Sequence, residues 1–298
     1  MKPILFSLFN QHPLVSLIAE KMDIELGKIV WRDFPDGETY LKIENDIQNK
    51  KIIILNSLEH PNSKILPLLF LAETAKSLGA KQVGLCAPYL SYMRQDKQFQ
   101  PGEGITSTYF ATLLSRYFDW LVTVDPHLHR HHSLSEIYSI PNVVIHAAPF
   151  IAQWILKKIN KPILIGPDRE SEQWVSQVAK DANAPFLILD KIRHGDRNVD
   201  VSVPDIESYM NYTPVLIDDI ISTAQTMIKT IHHLKKLNMK PPVCISVHAV
   251  FADNSYESLL KAGTENIVSC NTIAHVSNKI DLSDSIISEM QKQFKSSE

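Results

Sequence analysis

The stretch Pro214–Thr226, PVLIDDIISTAQT, sets two neighbouring carboxylates, Asp218 and Asp219, at the end of an apolar run. The hydroxyls of Ser222, Thr223 and Thr226 follow, and a helical pattern begins. Adjacent carboxylates can hold the vicinal hydroxyls of a sugar, or a metal ion through its waters. A turn that opens a helix offers free N–H groups to phosphate. The pattern suits a sugar phosphate, with the acids on the ribose 2- and 3-hydroxyls. Ser222, Thr223 and Thr226 would then meet the 5-phosphate together with the backbone. An acidic strand end followed by an N-capped helix accounts for the same residues without any ligand, and this stretch alone leaves both readings open.

Such a loop needs a strand and a helix to hold it, and the rest of the chain supplies them repeatedly. Apolar runs predict strands at Ile4–Leu8, Ile52–Asn56, Val83–Tyr89, Leu121–Val124, Ile163–Gly166, Phe186–Leu189, Val215–Asp218 and Ile245–Phe251. Between them lie stretches with helical spacing, such as SKILPLLFLAETAKSLGA and TMIKTIHHLKKLNMK. Strands alternating with helices predict an α/β fold with largely parallel sheets. In such folds ligands gather at the carboxyl ends of strands. The chain also repeats itself faintly. Lys2-Pro3-Ile4-Leu5 returns as Lys161-Pro162-Ile163-Leu164, and Asp46-Ile47 returns as Asp205-Ile206 at the same offset. Two copies of one α/β unit, meeting near Val143–Ile155, follow from this, with Asp218-Asp219 standing where the first copy has Asn56-Ser57.

Composition narrows the function class. The 298 residues are 44% hydrophobic and 21% charged, with a net charge of -3, so neither a nucleic-acid surface nor a membrane surface is expected. The apolar start is interrupted at Asn10, Gln11 and His12, which argues against a signal peptide. Three cysteines, Cys86, Cys244 and Cys270, sit in separate β-like runs. Buried free thiols in a reducing, cytoplasmic setting are the expectation.

Six segments then occur in an order that resembles one family. Asp218–Thr226 is similar to the phosphoribosyl-pyrophosphate loop of the type I phosphoribosyltransferase fold. Phe34–Glu38 (FPDGE) looks like an ATP-binding flag, and Pro88–Lys97 (PYLSYMRQDK), followed by FQPGE, like a signature around an Arg-Gln pair. Thr123–His127 (TVDPH) resembles a metal-histidine segment, Ile165–Asp168 (IGPD) a pyrophosphate-side loop, and Leu189–Arg193 (LDKIR) the start of a mobile catalytic loop. Together they resemble the ribose-phosphate pyrophosphokinases, nearest the archaeal-type branch. The resemblance implies two tandem type I phosphoribosyltransferase-like domains, each a largely parallel sheet flanked by helices. Residues 1–145 would form the ATP side and 146–298 the ribose 5-phosphate side, and the last helix could pack back on the N-terminal domain.

The resemblance assigns roles that the residue types can support. Arg94, planar and permanently charged, suits ATP phosphates or stacking on a base; otherwise it is a surface arginine. Gln95 can read an adenine edge or merely face solvent. Phe34 can stack on adenine, because its neighbours Asp33 and Pro35-Asp36-Gly37 read as an exposed turn rather than core. Asp36 and Glu38 would accept from the nucleoside, or only solvate that turn. His127 and Asp168 are implied ligands of Mg2+ with ATP, and a hard oxygen suits that ion. His127, His129, His131 and His132 crowd together, yet no cysteine is near, so a zinc site is disfavoured against surface histidines. Lys191 and Arg193, leading into Gly195, would stabilise charge on the transferring β-phosphoryl group; composition alone reads them as a basic strand edge.

The implied reaction moves the pyrophosphoryl group of ATP to the 1-hydroxyl of ribose 5-phosphate, in a homodimer or higher homo-oligomer. Two segments depart from the family pattern. Ala224-Gln225 stands where glycine is usual, and Arg169-Glu170-Ser171-Glu172 replaces a small glycine-containing loop. Carboxylates there would repel pyrophosphate unless Arg169 or a metal compensates. These departures keep open a catalytically silent or regulatory homologue. A phosphoribosyltransferase that consumes the product is the other rival, and the ATP-side segments argue against it.

Overall fold

The computed structural model describes residues 2–9, 12–128, 130–194, 198–202 and 206–295. Chain contacts divide it into two compact units. One holds the chain up to Ile145 with Thr272–Ala274 and the final helix; the other holds His146–Asn271 and His275–Leu282.

The first unit opens with β1 (Ile4–Phe6), α1 (Pro13–Met22), β2 (Glu25–Leu26), β3 (Ile29–Asp33), β4 (Thr39–Ile43) and β5 (Lys51–Leu55). It continues with α2 (Ile65–Ser77), β6 (Gln82–Ala87), α3 (Thr106–Tyr117), β7 (Trp120–Val124) and β8 (Asn142–Ile145). Six strands form one sheet in the order β2-β1-β5-β6-β7-β8, and every pairing in it is parallel. β6 and β7 are buried at every position, which is why they read as unbroken apolar runs rather than as alternation. α2 turns Leu68, Leu71, Ala72 and Ala75 inward at helical spacing. Gly84 of β6 lies opposite Trp120 of β7, and a Cβ at Gly84 would come within 1.8 Å of the indole.

The second unit repeats the scheme. It runs α4 (Ala148–Lys158), β9 (Pro162–Gly166), α5 (Glu172–Asp181), β10 (Phe186–Ile188), β11 (Asp190–His194), β12 (Asn198–Ser202) and β13 (Thr213–Ile221). Then come α6 (Gln225–Lys236), β14 (Val243–Ala249), α7 (Ser255–Ala262), β15 (Asn266–Cys270) and β16 (Asn278–Ile280), before α8 (Ser283–Lys295). Its sheet order, β10-β9-β13-β14-β15-β16, matches the first sheet position for position, again all parallel. The correspondence extends to an antiparallel hairpin inserted at the same point of each unit, β3–β4 in one and β11–β12 in the other. α8 lies against α1, β7 and β8, and Phe294 meets Trp120 edge-on at 5.6 Å.

Two sequence expectations change. β13 does not stop at Asp218: it stays paired with β14 through Ile220–His248 and Ile221–Ala249, so both acids lie inside the strand. Three strands end two residues earlier than predicted, β1 at Phe6, β6 at Ala87 and β14 at Ala249. Cys86, Cys244 and Cys270 are buried and free. Burial raises the Cys86 thiol strongly and the Cys244 thiol to about 12, so neither is a ready thiolate. Among the described residues no helix is long and apolar enough to cross a membrane.

Candidate active site

The second unit gathers acids at one sheet end. β9 and β13 are parallel neighbours, so Asp168, just past β9, and Asp218, late in β13, approach one another. The Asp168 carboxylate accepts the N–H of Ser171 at 3.2 Å and caps the short turn that leads into α5. Asp218 keeps some solvent exposure but is closely surrounded by protein. That burial, then the charge of Asp219, and to a lesser degree that of Asp168, hold its carboxyl well above the usual carboxylate range. A carboxyl raised by burial and by its acidic neighbours marks a place that a divalent cation or hydroxyl donors would relieve.

The hydroxyl turn follows directly. Ser222 and Thr226 are half-buried and Thr223 is exposed. Ala224, not Gln225, takes the left-handed conformation, at φ 58°; Gln225 is exposed and already begins α6. The strain expected from the missing glycine therefore falls on a methyl-bearing residue whose side chain is buried. The departure at Arg169–Glu172 also has a local reason. Arg169–Ser171 form a 3₁₀ turn and Glu172 opens α5, so Glu170 and Glu172 sit where a helix start favours negative charge.

Lys191 and Arg193 lie on β11, opposite Val201 and Val199 of β12, and β12 runs beside α6. Their side chains, and Gly195, fall outside the described residues.

In the first unit Phe34, Asp36 and Glu38 occupy the turn of the β3–β4 hairpin. The Phe34 N–H donates to the Glu38 carbonyl at 2.7 Å, and Gly37, at φ 88°, donates to the Phe34 carbonyl at 2.8 Å. Asp36 accepts the Glu38 N–H at 3.2 Å. Phe34 is 39% exposed. The Arg32 guanidinium lies 4.6 Å from the Phe34 ring centre and 4.8 Å from that of Tyr40, stiffening the turn by cation–π contact.

A second group forms between the loops after β6 and β7. Arg94 is exposed, while Gln95 accepts the Thr106 hydroxyl at 3.3 Å and its carbonyl accepts the Ser107 N–H at 3.3 Å. The buried Asp96 takes Arg130 through both carboxylate oxygens, at 2.8 and 3.1 Å, tying this loop to the one that carries His127. His127 itself has φ 57° and donates its N–H to the Asp125 carbonyl at 2.9 Å. Phe99, 57% exposed, is flanked by Lys97 at 5.1 Å and Arg130 at 5.5 Å. His131 pairs with Glu136 at 2.9 Å, and His132 is exposed; His129 lies outside the described residues. Among the described residues, no three His, Cys, Asp or Glu side chains converge as a ready-made metal site. Asp168 just past β9 and Asp218-Asp219 within β13 offer hard oxygens, which fit an ion that keeps several waters and borrows phosphate oxygens from a substrate.

Sequence reasoning did not single out Arg32, Asp96 or Arg130. Asp96 stands next to Arg94-Gln95, so its position was visible, but its partner lies 34 residues away.

Comparison with known proteins bears on the family and the fold. A family model for the N-terminal domain of ribose phosphate pyrophosphokinase matches residues 3–117, and one for the phosphoribosyl transferase domain matches 133–283. The chain is 31% identical over 278 residues to a ribose-phosphate pyrophosphokinase of Saccharolobus solfataricus, covering 90% of this chain and 94% of that one. It is 30% identical over 281 residues to that of Pyrococcus abyssi, covering 94% of each. The crystal structure of phosphoribosylpyrophosphate synthetase from Mycobacterium smegmatis shares the fold, with a TM-score of 0.85 at 21% identity, over 99% of this chain and 100% of that one.

Proposed function

We propose a reaction for this chain from one premise: it belongs to the ribose-phosphate pyrophosphokinase family. It transfers the pyrophosphoryl group of ATP to the 1-hydroxyl of ribose 5-phosphate, giving 5-phosphoribosyl 1-pyrophosphate and AMP for nucleotide synthesis. The observation that carries this reading is the placement of Asp168, Asp218 and Asp219 toward one end of a parallel sheet, with a hydroxyl-rich turn directly after Asp218-Asp219.

The first unit is the ATP side. Phe34 stacks on the adenine with Arg94, Gln95 reads its edge, and Asp36 and Glu38 accept from the nucleoside. His127 and Asp168 are the side chains assigned to Mg2+, which when bound neutralises charge on the ATP phosphates. The second unit is the ribose 5-phosphate side. Asp218 and Asp219 accept the 2- and 3-hydroxyls, while Ser222, Thr223 and Thr226 hold the 5-phosphate. The sugar's 1-hydroxyl oxygen attacks the β-phosphorus and gives its proton to water, the bond from that phosphorus to the oxygen bridging to the α-phosphate breaks, and AMP departs with that oxygen. Lys191 and Arg193 face the charge that builds on the transferring group. The active form is a homodimer or larger assembly in which the Phe34 turn reaches a neighbouring subunit's site.

A second reading, a catalytically silent homologue, is favoured by one observation. Ala224 holds a left-handed turn that glycine holds more easily. Purified protein with ATP, Mg2+ and ribose 5-phosphate, assayed for AMP, separates the two. AMP formed in step with ribose 5-phosphate consumed supports catalysis; no AMP at millimolar substrate supports the silent homologue.

A further inference from the structure

The turn after β14 holds left-handed backbone at two residues that are not glycine, Phe251 at φ 37° and Asp253 at φ 53°. A bulky side chain is disfavoured there, so its surroundings must enforce the conformation. They consist of three rings. Phe251 lies 4.6 Å from His275 at an interplanar angle of 36°, and 5.3 Å from Tyr256 at 76°. Tyr256 and His275 close the triangle at 4.8 Å. His275 is anchored in turn. Its N–H donates to Asn278 at 3.0 Å, its Nδ1 accepts the Ser277 N–H at 3.2 Å, and Asn278 donates to the Cys270 carbonyl of β15 at 2.9 Å.

The turn they hold reaches the hydroxyl loop. The Phe251 N–H donates to the Ile221 carbonyl at 2.9 Å, and the Ala252 N–H donates to the Ser222 carbonyl at 3.2 Å. In a trans peptide the carbonyl and the following N–H point opposite ways. Fixing those two carbonyls toward residues 251–252 therefore turns the N–H groups of Ser222 and Thr223 away from that turn. Backbone N–H groups held in one orientation make an anion-binding concavity.

We propose that Phe251, Tyr256 and His275 are positioning residues for the sugar-phosphate loop: their rings hold the 251–252 turn, and that turn orients the Ser222 and Thr223 N–H groups toward a phosphate monoester. The identity of that phosphate rests on the reading given under Proposed function; the orientation of the loop does not. A packing role alone would loosen the whole unit rather than one loop.

Hydrogen exchange on the full chain without ligand tests the orientation. Phe251→Gly and His275→Ala should speed exchange at the amides of residues 251 and 252, the donors of those two bonds, by about tenfold, the worth of one net hydrogen bond, while β9 and β15 stay protected. His275→Phe keeps a ring and should restore protection. In steady-state assays the first two variants should raise KM for ribose 5-phosphate by about tenfold and leave KM for ATP unchanged. Unaltered exchange, loss of protection across the unit, equal rises in both KM values, or a His275→Phe that behaves like His275→Ala would each overturn the proposal. His275→Ala, at a half-buried site, keeps the test usable if Phe251→Gly does not fold. If the unaltered protein binds no ribose 5-phosphate, the substrate reading fails, and the exchange measurements still decide whether the rings position the loop.

Discussion

The Asp218 carboxylate accepts the backbone N–H of Asp219 at 2.9 Å, so two neighbouring acids of one strand are also joined by a hydrogen bond. The bond favours the ionised form of Asp218, yet burial and the charge of Asp219 outweigh it and raise the carboxyl. A carboxyl raised in the folded state contributes stability at low pH and loses it as pH rises through the raised value. The site is therefore held against the fold's own stability.

Asp218→Asn should accordingly raise the melting temperature of the ligand-free protein at neutral pH and abolish binding of ribose 5-phosphate. Differential scanning calorimetry and isothermal titration check the two halves separately. A lower melting temperature at neutral pH would show that the acid stabilises its strand instead.

Lys191→Ala should lower kcat by on the order of 10²–10³ with little change in either KM, because its contact is made mainly in the transition state. Single-turnover formation of AMP is the measurement. Near-normal kcat would remove Lys191 from the mechanism.

Mixing Phe34→Ala protein with the double variant Asp218→Ala/Asp219→Ala should regenerate activity, since one composite site in each heteromer keeps both parts. Phe34 lies at an exposed hairpin turn, which suits such a reach. No recovery, with subunit exchange demonstrated by mass spectrometry, would assign Phe34 to its own chain's site.

The left-handed Ala224 predicts a gain from glycine. Such a residue costs about 1–2 kcal/mol, against about 0.4–1 kcal/mol of added chain entropy for glycine, so Ala224→Gly should stabilise by about 0.5 kcal/mol. It should also lower KM for ribose 5-phosphate, whereas Gln225→Gly, one residue on in ordinary helix, should bring no such gain. Denaturant melts and initial rates compare them; equal effects of the two would locate the strain elsewhere.

Gly84→Ala should destabilise the first unit by about 1–3 kcal/mol, because the new methyl overpacks against the buried Trp120. Chemical denaturation followed by tryptophan fluorescence reads it. A neutral result would mean that the β6–β7 pair shifts freely.

Much of this fold is legible in the sequence because its central strands are buried on both faces. β6, β7 and β14 declare themselves as apolar runs. β16, Asn278-Lys279-Ile280, carries no such pattern and exists through its pairing with β15. The β3–β4 hairpin mixes apolar residues with charged ones and is mostly exposed or half-buried, so only its turn was visible, through Pro35-Asp36-Gly37. The extension of β13 past Asp218 was hidden for a different reason: acids rarely continue a strand, and the partner β14 decides that this one does. Among site residues, types and local order could be read directly. Arg32 beneath Phe34 and the Asp96–Arg130 pair could not, since only the folded loops bring those groups within reach.

The return of α8 to the first unit has a consequence for how the chain is made. A ribosome releases β1 through β8 while more than a hundred residues of the second unit remain untranslated, and only afterwards does α8 emerge. Until then Trp120 lacks Phe294, Ser57 lacks the Thr272 carbonyl that accepts its hydroxyl, and Lys51 lacks the Phe294 carbonyl at 2.6 Å. The nascent first unit must wait in an unfinished state, with an apolar edge uncovered, for a segment encoded after the second unit.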